Sequence, residues 1–109
     1  MRFILNITLI IIIFMHAPLS SALSNDDYKS YLQVWDQKIK LASEYLKDAE
    51  EELKNGNEAI ACKKQREAAK YGIEATESLI KAFKISGSTN DLSDLRVGIN
   101  KWEELRDFC

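Results

Sequence analysis

The chain has 109 residues, of which 46% are hydrophobic and 29% charged, and its formal net charge is −2. That length holds one domain with a thin core, and the mild acidity argues against the concentrated basic face that nucleic acid recruits. A single histidine and two cysteines leave little material for chemistry that depends on imidazole or thiolate.

The first residues read as an export leader. Arg2 precedes an apolar run from Phe3 to Met15, Pro18 breaks the helix, and Ser20-Ser21-Ala22 supplies small residues at −3 and −1 of a cut after Ala22. Residues 1–22 are therefore expected to form a signal peptide, with a cut after Ser24 as second choice, leaving 23–109 as the mature domain. The run is short of the roughly 20 apolar residues a spanning helix needs, and it contains Asn6 and Thr8. If the leader were retained, the product would be a membrane-tethered domain. Cleavage removes Arg2, making the remainder more acidic by one charge, and removes His16, the only histidine.

The first mature segment opens with Ser24-Asn25-Asp26-Asp27, whose Ser24 and Asp27 have capping-box-like spacing. Tyr28, Leu32, Trp35, Ile39, Ala42, Leu46, Ala49 and Leu53 then alternate at intervals of four and three, a heptad seam suited to shallow helix crossing. Tyr31, Val34, Leu41 and Tyr45 widen the seam on one flank, which implies that more than one neighbour covers this helix. Asn55-Gly56-Asn57 ends it, with Gly56 able to take a left-handed cap and Asn57 able to cap the next helix.

The second segment spans about 58–85. Its inner face reads as Cys62, Arg66, Ala69, Ile73, Thr76, Ile80 and Phe83, flanked by Ala61, Ala68, Gly72, Ala75 and Leu79. Ser86-Gly87-Ser88-Thr89-Asn90 forms the second break. The third segment runs from about Asp91 to Phe108, with Leu92, Leu95, Ile99, Trp102 and Leu105 inward. The expected fold is all-α, a small antiparallel three-helix bundle following the signal peptide.

At about 1.5 Å of rise per residue, such a bundle brings Cys62 and Cys109 to one height at the end that holds the first turn. In an oxidising compartment this pair is expected to form a disulfide, with a dimer linked through Cys109 as the alternative. The same register sets Gly72 and Gly98 nearly level, marking either close helix approach or a groove. Arg66 is the one charged residue on the expected inner face, and it should be either paired or extended to water.

Without His16, a Ser-His-Asp triad, a Cys-His pair and histidine zinc sites are all excluded, and the carboxylates show no Glu-x-x-His pairing. No enzyme activity, cofactor or metal is expected. Asp48 to Glu52 stand across the first turn from Lys63, Lys64 and Arg66, where loose ion pairs are expected to contribute little. The plan of leader, small helical domain and single disulfide is similar, in size and class only, to that of acid-stress chaperones, secretion-system immunity proteins and envelope assembly factors. The expected function is that of an exported protein, periplasmic or secreted, acting as a non-catalytic interaction or accessory factor. Tyr31, Val34, Leu41, Tyr45 and Arg66 are its candidate partner-binding residues. A holdase chaperone is the alternative.

Overall fold

A computed structural model of the protein describes residues 26–88 and 90–109. The leader, both cleavage positions, His16, the Ser24 half of the expected capping box and Thr89 lie outside them. The described chain forms three helices, α1 (Asp26–Lys54), α2 (Glu58–Ser86) and α3 (Leu92–Asp107), and no strand. This is the all-α three-helix bundle, with bounds within a residue or two of those read from the sequence.

Both turns are closed by glycine. Gly56 sits at φ +80° and Gly87 at φ +78°, the left-handed region where a side chain is strained. Asn57 N–H donates to the Glu52 carbonyl at 2.8 Å and Gly56 N–H to Leu53 at 3.1 Å. Ser88 N–H donates to Phe83 at 3.0 Å and Gly87 N–H to Lys84 at 3.3 Å. Both sets are the paired bonds of a Schellman motif, which satisfy carbonyls that a helix end leaves unpartnered. Asn57 does not cap α2 with its side chain as expected. Its Nδ2 reaches back 2.8 Å to Glu52 Oε2, so the residue braces the end of α1 instead.

The 29-residue α1 and α2 run antiparallel over their whole length, which sets the 48 Å long dimension of a body 22 by 19 Å across. The α1 seam is buried as its spacing requires, from Tyr28 through Trp35, Ile39, Ala42 and Leu46 to Ala49, with Leu32 and Leu53 packed partly buried at its edge. α3 presents Leu95, Trp102 and Leu105 to the same core, with Leu92 and Ile99 beside them. The two outer helices are not equivalent in their pairing. Each packs on α2, but among the described residues no Cα of α1 comes within 8 Å of a Cα of α3. Their buried side chains join those of α2 in one core cluster.

The inner face of α2 takes in two adjacent stripes. Ala61, Gln65, Ala68, Gly72, Ala75, Leu79 and Ala82 are buried, as are Ala69, Thr76 and Ile80 of the expected inner stripe, while Arg66 of that stripe is exposed and Cys62, Ile73 and Phe83 are half-buried. Both stripes have heptad spacing, and the one richer in large side chains is the more hydrophobic. A helix gripped from two sides nevertheless turns its smallest residues to the lines of closest approach, because backbones close together only where side chains are short. The larger Ile73 and Phe83 cover the rim of the core.

Gly72 shows the consequence most sharply. A Cβ placed there would overlap Cδ2 and Cε2 of the Trp102 indole and stand 2.6 Å from Cε3. The Cys62 and Cys109 Cα atoms are 5.8 Å apart, and counting down both helices from that pair sets Gly72 beside Gly98 and Ile99. Trp102 reaches Gly72 because helical side chains lean toward the N-terminus by about one turn. The choice between close approach and an open groove is thus resolved at Gly72, where an indole fills the notch. Gly98 is buried on α3.

Candidate interaction surface

Two regions gather polar and aromatic side chains. The first lies along the edge where α1 meets α2. Lys64, Glu67, Tyr71, Glu74, Ser78 and Lys81 recur at intervals of three and four and so share one face of α2. Antiparallel pairing sets them opposite the Tyr31, Val34, Lys38, Leu41 and Tyr45 flank of α1.

The contacts form a ladder. At one end the Ser78 hydroxyl donates to the Tyr31 carbonyl at 2.7 Å, and Lys81 Nζ stands 5.7 Å from the centroid of the Tyr31 ring. In the middle Lys38 Nζ approaches Glu74 Oε2 at 2.9 Å, a charge contact without good hydrogen-bond alignment. The same ammonium lies 5.1 Å from the Tyr71 ring. Tyr71 stacks on Tyr45 with centroids 5.6 Å apart and planes 15° from parallel, while Lys70 lies 5.6 Å from Tyr71 and Lys64 5.3 Å from Tyr45. Each such cation–π contact at an exposed site is worth about 0.5–1 kcal/mol.

The candidate residues separate into two groups in this arrangement. Tyr31 and Tyr45 are half-buried and engaged with α2, whereas Val34 and Leu41 remain 36% and 37% exposed between them. Arg66 belongs to neither position. It and Tyr71 are five residues apart, hence about 140° apart around α2, so the guanidinium lies off this edge. The expected ion pairs from Asp48–Glu52 to Lys63, Lys64 and Arg66 do not form among the described residues, and Lys64 turns to Tyr45 instead.

The second region is the end of the bundle where Cys62 and Cys109 are joined as a disulfide. A recess of about 300 Å³ opens there between Leu53 and Glu58 on one side and Phe108 and Cys109 on the other. Its lining includes Gln65, a buried polar residue next to the exposed Arg66. Gln65 Nε2 donates to the Leu105 carbonyl at 2.9 Å and lies 3.6 Å from Cys109 Sγ. Leu105 is in the last turn of α3, where carbonyls have no partner within the helix, so a side chain of α2 caps the end of α3. The sequence signal for Gln65 was present, since it falls on the 4,3 spacing of the alanine stripe.

The outward face of α3 carries Asn100, Glu103, Glu104 and Asp107 on an open shelf. Arg106 Nε donates to Asp107 Oδ1 at 2.9 Å, and this bond holds the Asp107 carboxyl below its ordinary range and the guanidinium above its own. Both groups are fully exposed, so the pair is a surface feature.

Among the described residues no group of three or more His, Cys, Asp or Glu is placed to hold a metal ion, and no helix is long and apolar enough to cross a membrane. The chain matches no protein-family model, no curated protein and no solved structure. Its reading therefore rests on its own residues.

Proposed function

We propose that this is a small exported, non-catalytic interaction protein whose α1/α2 edge docks a protein surface bearing acidic and apolar side chains. The observation that carries the reading is the exposure of Val34 and Leu41 between two anchored tyrosines, in a row where Lys38, Lys64 and Lys81 outnumber Glu67 and Glu74. Aromatic rings held by stacking lose little freedom on binding, and Tyr is enriched among residues that dominate interfaces. The local positive charge stands out on a chain that is acidic overall, which favours an acidic partner and steers its approach. Export rests on Arg2, the apolar run and Ser20-Ser21-Ala22, and the Cys62–Cys109 bond suits an oxidising compartment.

The test compares the wild type with the double substitution Val34→Glu and Leu41→Glu, both surface changes expected to leave the fold intact. Chemical cross-linking in the native compartment should trap one acidic partner with the wild type. Its affinity for the purified partner should fall at least about tenfold in the variant and weaken with added salt. A partner bound equally by both proteins, or no partner, would refute the assignment of this edge. Intact-mass measurement of the natural product separates the leader question from the docking question.

A further inference from the structure

α3 is held to the rest of the molecule differently from the way α1 and α2 hold each other. It spans 16 residues, about 24 Å, against 29 residues for each of its neighbours, and its backbone approaches only α2. Its polar and covalent attachments lie toward one end, with the Trp102 ring in the Gly72 notch, the Gln65 bond to the Leu105 carbonyl and the disulfide from Cys109 to Cys62, while Leu92, Leu95 and Ile99 pack on the core toward the other. At its other end the Asp91 side chain makes no capping bond, and the connection back to α2 is the Gly87–Asp91 segment. The disulfide is also reachable. Cys109 is exposed, Cys62 is half-buried, and both line the 300 Å³ recess.

From this placement we infer that the Cys62–Cys109 bond is a redox latch: its reduction by a dithiol lets α3 swing off α2 while the α1/α2 hairpin stays paired. The step balances as ordinary thiol–disulfide exchange. A thiolate of the dithiol attacks the Cys109 sulfur, and the bond to Cys62 breaks with its electron pair leaving on the Cys62 sulfur, which takes up a proton. The second thiol of the reductant then closes on the mixed disulfide and releases Cys109 as a thiol. Two electrons pass to the chain, and the reductant leaves as its own disulfide. Released, α3 uncovers the Gly72 notch and the Gln65 amide, which it takes up again on oxidation.

The hairpin keeps its pairing because its seam from Tyr28 to Leu53 runs along α1 from end to end, and the Tyr–Lys ladder closes its edge independently of α3. Gly72 and Tyr71 are adjacent and so point about 100° apart around α2, which puts the latch and the ladder on different sides of that helix. The latch therefore stands or falls separately from the docking of a partner on the ladder.

Hydrogen exchange read by mass spectrometry on the purified full-length product tests it, oxidised and after dithiothreitol, with Cys62→Ser/Cys109→Ser as the reductant-free counterpart. Amides of residues 92–107 should exchange at least about 100-fold faster on reduction, and those of residues 39–49 and 68–79 less than about tenfold faster. Reoxidation should restore α3 protection. If α3 stays protected, the bond is no latch. If all three helices accelerate together, the molecule unfolds as one unit, and the inference is equally overturned.

Discussion

The α1/α2 and α2/α3 interfaces share a helix and a core yet are built on opposite plans. The first is long and distributed: the α1 seam runs from Tyr28 to Leu53, and its edge is closed by three cation–π contacts, a stacked tyrosine pair and an ion pair. The second is short: Leu92, Leu95, Ile99, Trp102 and Leu105 pack on the core, and one indole notch, one amide and one covalent bond fix its end. A distributed edge loses little when any one contact is removed, because each cation–π contact contributes about 0.5–1 kcal/mol. A concentrated one has single points of failure, so the difference between the two is open to direct measurement by substitution.

The largest effect is expected at Trp102. It is 1% exposed and fills the notch over Gly72, so Trp102→Ala should cost about 3–5 kcal/mol in chemical denaturation. Gly72→Ala tests the same contact by sign. Helix propensity alone favours alanine by up to about 1 kcal/mol, but the new methyl must displace a packed ring, so a net loss of about 1–3 kcal/mol is expected. Combining Gly72→Ala with Trp102→Leu should recover part of that loss, whereas additive costs would show that the two residues do not share a site.

Gln65 comes next. Gln65→Met keeps the length of the side chain but leaves the buried Leu105 carbonyl without its donor, and the cost should be about 1–3 kcal/mol. Arg66→Met, one residue along on an exposed position, should fall within about 0.5 kcal/mol of wild type. Equal effects at the two positions would contradict the register of α2.

That register also marks the limit of what the sequence displays. Helix number, both glycine turns, the α1 seam and the cysteine pairing follow from spacing and rise, because an amphipathic helix with one dominant stripe has one plausible orientation. α2 has two heptad stripes side by side, one of alanine and glycine and one of isoleucine and phenylalanine, and periodicity alone cannot rank them. What ranks them is contact with helices on two sides, a tertiary fact. The ladder shows the same division. Tyr31, Val34, Leu41 and Tyr45 are visible as a flank of α1, but Tyr71 and Lys64, which lock that flank to α2, become its neighbours only once the antiparallel register is fixed. Arg66 shares a stripe with the buried Ala69, Thr76 and Ile80, yet it is itself exposed, because α3 ends beside Gln65 and Cys62 and does not cover it.

The smallest effect in the core is predicted for the second tryptophan, and it bears on the comparison most finely. Trp35 sits in the α1 seam at 5% exposure, and its indole Nε1 is buried without a hydrogen-bond acceptor among the described residues. An unpartnered buried donor costs about 1–3 kcal/mol, so Trp35→Phe removes a penalty at the same time as it removes packing volume. The two contributions oppose each other, and the net change should stay within about 1 kcal/mol. Trp102→Phe has no such offset at the notch, since it removes atoms of the bicyclic ring that close over Gly72, and it should cost about 1–3 kcal/mol. Matched denaturation curves for the two variants would show whether the cost of an identical substitution depends on which of the two interfaces receives it. If Trp35→Phe proved the more damaging, the distributed interface would have its own single point of failure, and the contrast with α3 would collapse.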